Sequence, residues 1–284
     1  MTTAKEQGIV QNNKKHFESW ADKSITSSSY VTIKWIAIIS MLTHHISVIL
    51  NNASAISYTN YVACFGIGRL AFPLFCFLLV ESFYFTKNKI KHLIKLILLA
   101  IISEIPFDLF TEKEWFSLTN QNVIITLAIG FMMLLIMEYI VPKFLSFFLP
   151  KANPKGKMFV LFELIINAEI CHLLVNLAVL CHSDYDWKGI ILIALLWYAR
   201  KLKHRRIGTV IAICAFILMN LYYSYIYLIV VFTIPIIFIA LSENKCKGLI
   251  PLFFFEKKPF RIIASIFYPL HLFILGFINI FTAT

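Results

Sequence analysis

Apolar runs long enough to cross a hydrocarbon core dominate this chain and leave few folds open to it. A bilayer-spanning helix needs about 20 apolar residues, at about 1.5 Å of rise each, to cross a layer about 30 Å thick. The stretch 31–50 meets that length, and comparable stretches follow along the chain. Hydrophobic residues make up 60% of the 284 residues and charged residues only 14%, with a mean hydropathy of +0.79. A water-soluble chain of this size carries more charge and shorter apolar runs. The sequence therefore predicts an all-α, polytopic membrane protein.

Nine helices are expected, over 31–50, 62–85, 90–110, 122–141, 158–181, 187–200, 207–222, 224–241 and 262–282. The connections orient them. Residues 1–30 form a polar tail with Lys5, Lys14, Lys15 and Lys23, and lack a cleavable signal pattern. Lys87, Lys89 and Lys91 fall in the next basic connection, then Lys143, Lys151, Lys155 and Lys157, then Arg200, Lys201, Lys203, Arg205 and Arg206. The connections between these basic ones, 51–61, 111–121 and 182–186, carry no basic excess. Such alternation is the membrane-orientation signature. The stretch 207–241 lies between two basic connections and reads as a tight pair of crossings, which puts the N-terminus in the cytoplasm and the C-terminus outside. Residues 187–200 are short for a span and fit one that is tilted or shielded by protein. Residues 144–149 read as a short interfacial helix. The net charge of +11 belongs to these loops, which argues against a nucleic-acid partner. The six cysteines have no zinc-type spacing, so neither a metal nor a disulfide is assigned.

Ionisable residues inside apolar segments are costly, about 2.5–3.5 kcal/mol each near the bilayer centre, and mark functional sites by default. Lys34 and His45 are eleven positions apart, about three turns plus 20°, so they share a helix face roughly 16 Å apart. His44 is offset by about 80° from that line. On the expected topology His45, Arg69, Glu104, Asp108, His172, Asp184 and His271 gather toward the outer half and are expected to converge on a cavity open to the outside. Glu104 and Asp108 share a face at i,i+4; Asn122 and Thr126 open the fourth helix; Glu169, His172 and Asn176 form one stripe of the fifth. Lys34 and Glu81 lie near the inner face, where Lys34 can snorkel and Glu81 can pair with Lys87 or Lys91. A histidine near a carboxylate in a wet cavity suits general-base work, and an arginine can hold an oxyanion or an anion. A proton-coupled transporter uses the same residue types at the same depths, and composition does not separate the two.

The run Ile33-Lys34-Trp35 through Thr43-His44-His45-Ile46 resembles the opening helix of the TraX family. Gly68-Arg69-Leu70-Ala71-Phe72-Pro73-Leu74-Phe75, continuing to Glu81, resembles its second helix. Ser103-Glu104-Ile105-Pro106-Phe107-Asp108 resembles its third, and Asn122 through Thr126-Leu127 and Asp184-Tyr185 match in order. TraX is the membrane acetyltransferase that caps the N-terminus of conjugative pilin. It is similar to a wider membrane acyltransferase group that includes acyltransferase family 3, in which a basic residue, ten intervening positions and a histidine mark the first helix. Lys34 and His45 fit that spacing. The chain departs from the family at His44, where Asp is usual, and at Asp186, where Gly often follows Asp-Tyr.

The resemblance implies a transmembrane acyltransferase domain over 31–284 in the cytoplasmic membrane. There, acetyl-CoA donates an acetyl group to an acceptor on the far side, with no metal cofactor. The acceptor is a peptide N-terminal amine, with a surface carbohydrate hydroxyl as the alternative and a non-catalytic transporter as the rival. On this reading His45 is base or acyl relay, and Arg69 is the oxyanion or anion clamp. Glu104 and Asp108 orient His45 or bind the amine. Asp184, Asn122 and His271 stand on the acceptor side, and Lys34 and Glu81 on the coenzyme A side.

Overall fold

The computed structural model describes residues 27–149, 153, 156–221, 224–242 and 258–282, with only the backbone described at 27, 28, 258–265 and 282. Among them every regular element is helical. Eleven α-helices follow in order: α1 (Ser27–Asn52), α2 (Tyr58–Gly68), α3 (Ala71–Phe85), α4 (Lys89–Thr111), α5 (Val123–Leu135), α6 (Val141–Phe148), α7 (Lys157–Leu180), α8 (Asp186–Lys201), α9 (Arg205–Leu221), α10 (Thr233–Ser242) and α11 (Lys258–Thr282). The polar tail 1–30 lies outside the described residues except for its last four, which open α1. The last basic loop, with Lys245, Lys247 and Lys257, lies outside them too.

Among the described residues, five stretches are long and apolar enough to cross a membrane: Ser29–Asn52, Tyr58–Phe85, Val123–Phe148, Lys157–Leu180 and Tyr225–Ser242. The chain is a helical membrane protein. Three more of the expected stretches, in α4, α8 and α9, are helical but fall short of that measure. α4 has the length but carries Lys89, Lys91, Lys95, Glu104 and Asp108, whereas α8 and α9 have 16 and 17 residues.

Three of the apolar stretches are interrupted, each at a proline. Pro73 has no N–H, so the Arg69 carbonyl loses its usual donor. The backbone N–H groups of Arg69 and Leu70 instead donate three residues back, to Gly66 at 3.0 Å and Ile67 at 3.1 Å. The expected helix 62–85 is therefore two helices, with Arg69 at the joint. Ahead of Pro142 the ladder widens into a π turn over Ile136–Ile140, and the expected interfacial helix becomes α6, a continuation of the same rod. Ahead of Pro235, Tyr225–Phe232 winds as a 3₁₀ helix. Its rise of about 2.0 Å per residue, with that of α10, gives the pair about 31 Å of length.

α8 runs through the middle of the bundle, packed by α3, α5, α7 and α9. Ile190, Leu192, Ile193 and Trp197 on it are wholly buried, beside Leu74, Phe131 and Phe216. Protein shields this short helix, so it needs no full lipid-spanning length. A second, smaller cluster of Ile49, Phe110 and Leu272 joins α1, α4 and α11. There a Cβ on Gly276 would stand 2.9 Å from the Phe110 nitrogen, so only glycine lets α11 approach α4 this closely. Asn279 donates to the Phe110 carbonyl at 3.0 Å and accepts from Asn52 at 3.0 Å, tying the same three helices together.

Candidate functional site

A cavity of 460 Å³ opens at the end of the bundle where the loops 112–122 and 181–185 lie. His44, His45, Arg69, Asp184 and Tyr185 line it, with Phe72, Phe107 and Tyr268 on its apolar wall. Its volume falls within the roughly 300–1,000 Å³ usual for small-molecule sites. Thr111, Asn120, His182 and Asp184 form an exposed rim. His45 therefore stands with Arg69 in a recess that opens at an exposed, polar rim.

Each lining residue is held by local structure. α1 carries His44 and His45. A Cβ on Gly68 would lie 2.3 Å from His44 Cβ, so the joint between α2 and α3 presses directly beneath them. At that joint Arg69 Nη1 donates to the Tyr185 hydroxyl at 3.3 Å and the Tyr227 hydroxyl at 3.5 Å. The guanidinium also lies over the Phe65 ring, 3.9 Å from its centroid. Its Nε is buried without a hydrogen bond, and among the described residues Arg69 makes no ion pair. A cation held by neutral hydroxyls and an aromatic face keeps its charge for an anion or a polarised carbonyl.

The loop after α7 is clipped in place. Gln121 and Ser183 form a parallel bridge, with Gln121 N donating to His182 O at 2.9 Å and Asp184 N to Gln121 O at 2.9 Å. Thr126 donates its hydroxyl to the Asp184 carbonyl. Tyr185 stacks on Phe72 at 3.7 Å and 3°. Three residues here take positive φ: His182 at 48°, Tyr185 at 66° and Asp186 at 41°. Side chains disfavour that region by about 1–2 kcal/mol each, so the loop stores strain at the rim. Surrounding protein raises the Asp184 carboxyl to about 6 against the pull of the Arg69 guanidinium, although the residue stands at the exposed rim.

His45 Nδ1 lies 2.9 Å from His271 Nε2, with the two rings nearly parallel at 6°. α11 thus brings His271 to the site from the far end of the sequence.

The other expected site residues lie elsewhere. Glu104 accepts from the Asn122 side chain and faces a second, mostly apolar cavity of 510 Å³ lined by Ile101, Ile125 and Leu177. Asn122 is wholly buried, capping α5 through Ile124 N at 3.0 Å and donating to Ala100 O at 2.9 Å. Asp108, also wholly buried, accepts from Ser117 N at 2.8 Å and pins the loop after α4. None of the three lines the His45 cavity, and neither carboxylate orients His45. His172 and Glu169 are exposed on α7, where His172 Nε2 meets Asn176 at 3.2 Å, so they do not join the cavity. Glu81 is wholly buried between Arg200 Nε at 3.0 Å and Arg205, in place of the expected Lys87 or Lys91. Lys34 is half-buried on the α1 face that carries His45, about 16 Å away along the axis.

Sequence reading missed Tyr185 as an Arg69 partner, although it quoted the Asp184-Tyr185 pair, and it missed Tyr227 and Phe72. A hydroxyl inside an apolar span was the available signal for Tyr227.

A helical membrane bundle with a rimmed cavity that brings His44, His45 and Arg69 together defines an integral-membrane protein with a small-molecule-sized site. A TraX protein family model matches residues 29–279, and the chain belongs to the TraX family. It is 35% identical over 112 residues to the "Probable fimbrial assembly protein FimC, serogroup H1" of Dichelobacter nodosus, an alignment covering 37% of this chain and 44% of that protein. The chain thus spans less than half the length of that relative. No solved structure matches it.

Proposed function

We propose that this chain is an acetyl-CoA-dependent acetyltransferase of the cytoplasmic membrane that modifies a peptide N-terminal amine, pilin-like, outside the cytoplasm. The observation that carries the reading is the shared cavity of His45 and Arg69, which sets a base and a cation in one wet recess. Family membership and the fimbrial-assembly relative support the peptide acceptor. On this reading nine helices cross the membrane, and the loops 112–122 and 181–185 face away from the cytoplasm.

The chemistry follows from the side chains. The acceptor amine attacks the thioester carbonyl, the C–N bond forms, and negative charge builds on the carbonyl oxygen. Arg69, which makes no direct ion pair among the described residues, stabilises that oxygen. His45 takes the proton that the nitrogen sheds. The C–S bond breaks, and His45 returns the proton to the departing sulfur, leaving an amide and a thiol. Asp184 at the rim meets the ammonium end of the incoming peptide, which gives its extra proton to the outside solution before the free amine attacks. Lys34, three turns along α1, meets the phosphates of coenzyme A.

The test is transfer from labelled acetyl-CoA by purified protein to three acceptors: a peptide with a free N-terminus, the same peptide blocked, and an oligosaccharide. The expected result is label on the free peptide alone, lost in His45→Ala. Label on the sugar alone makes the protein an O-acetyltransferase. No transfer to any acceptor by the wild type overturns the enzyme reading in favour of transport.

A further inference from the structure

The protons around His45 can be placed from its neighbours. The Phe267 carbonyl oxygen can only accept, so its 2.7 Å contact with His271 Nδ1 fixes a proton on that nitrogen. In the neutral ring His271 Nε2 then has a lone pair. The 2.9 Å contact between that nitrogen and His45 Nδ1 in turn needs a proton on His45 Nδ1. Neutral His45 is left with its lone pair on Nε2, on a residue that lines the cavity. Among the described residues no carboxylate hydrogen-bonds His45.

We propose that His271 is the positioning residue of His45, so that an imidazole–imidazole–carbonyl chain, His45–His271–Phe267, sets the tautomer and takes up the positive charge that forms when His45 accepts a proton. This rests on His45 being the base. As the acceptor nitrogen's proton arrives at His45 Nε2, the Nδ1 proton shifts to His271 Nε2. His271 becomes the imidazolium, still held by Phe267, and His45 is neutral again with its proton on Nε2. When the thiolate leaves, Nε2 gives it that proton and the shared proton returns to His45 Nδ1, so the chain ends each cycle as it began. A charge shared by two rings is stabilised without a buried carboxylate.

The packing is suited to this. The Phe267 ring stacks on His271 at 4.8 Å and 12°, and Phe110 packs on His45 at 5.0 Å. Leu272, next to His271, is wholly buried against Ile49 and Phe110. The rings are therefore held from both sides, as a tautomer-setting contact requires.

Two variants and one spectrum test it. His271→Phe keeps a stacked ring and removes the acceptor. It lowers kcat by about 100-fold or more, the usual range for misdirected acid–base catalysis, with KM for acetyl-CoA nearly unchanged. His271→Gln, whose side-chain oxygen accepts from His45 Nδ1–H, recovers activity to within about ten-fold of wild type. In ¹⁵N-histidine NMR of the full chain in detergent, wild-type His45 carries its proton on Nδ1, and His271→Phe moves it to Nε2. Wild-type kcat in a folded His271→Phe, or a proton on Nε2 of resting wild-type His45, overturns the proposal. If the wild type transfers no acetyl at all, the enzyme reading falls, and the nitrogen shifts still decide the His45–His271 pair.

Discussion

Gly68→Ala is the sharpest structural probe of the site. The added Cβ would stand 2.3 Å from His44 Cβ and 3.0 Å from His44 Cγ. Carbon atoms rest at about 3.5–4.0 Å, so α1 and the α2–α3 joint must part by about 1.5 Å. The obstructing atom is a Cβ fixed to the backbone, so a rotamer change cannot relieve it. The overpacking costs about 1–3 kcal/mol, outweighing the gain of about 1 kcal/mol that alanine brings to a helix. The same movement separates His45 from Arg69, and a displacement of about 1 Å in a catalytic pair costs on the order of 100-fold in rate. Gly66 supplies the control. A Cβ there meets only side-chain methyls, Ile226 Cγ2 at 3.3 Å and Ile229 Cδ1 at 3.4 Å, and needs a shift of only a few tenths of an ångström. The assay is thermal unfolding in detergent alongside labelled acetyl transfer. Gly68→Ala is expected to lower both the Tm and the rate, and Gly66→Ala to leave both near wild type. A Gly68→Ala protein with wild-type Tm and rate would refute this packing at the joint.

Further outcomes are expected elsewhere. Glu81→Leu leaves buried Arg200 and partly buried Arg205 around a missing carboxylate and costs about 3–5 kcal/mol of stability, to be read from denaturant unfolding in detergent; a loss below about 1 kcal/mol argues against that cluster. Asp186→Gly relieves a residue at φ 41° and stabilises the protein by about 1 kcal/mol, seen as a raised Tm; a lowered Tm contradicts the strain. Folded Asp184 binds its proton more tightly than the unfolded chain does, since its carboxyl rises from 3.8 to about 6. Its contribution to stability therefore declines as pH climbs through that window. Asp184→Asn flattens this part of the Tm-against-pH curve, and an unchanged curve contradicts the shift.

Helix positions were legible in the sequence because lipid imposes length and apolarity on a segment directly. The brevity of α8 left two readings open, a tilted span or one shielded by protein, and the packing around it selects the second. The break in 62–85 was not read, although Pro73, which frees the Arg69 carbonyl, was its available signal. What sequence leaves open is which neighbour a helix face meets. Glu104 and Asp108 share a face of α4, yet one turns to Asn122 and the other to Ser117, so neither reaches His45. His172 shares its residue type with His271 but is exposed on α7, whereas His271 is buried. The His45–His271 contact spans 226 positions, and it forms because Gly276 and Asn279 seat α11 against α4, a packing detail that no local pattern encodes.

Oriented proteoliposomes test the central claim most directly, with labelled acetyl-CoA supplied only on the side of the basic loops and a free-amine peptide only on the other. The account predicts acetylated peptide on the far side, formed by the wild type and abolished in His45→Gln. Equal product from His45→Gln, or product only when both substrates share one side, contradicts it.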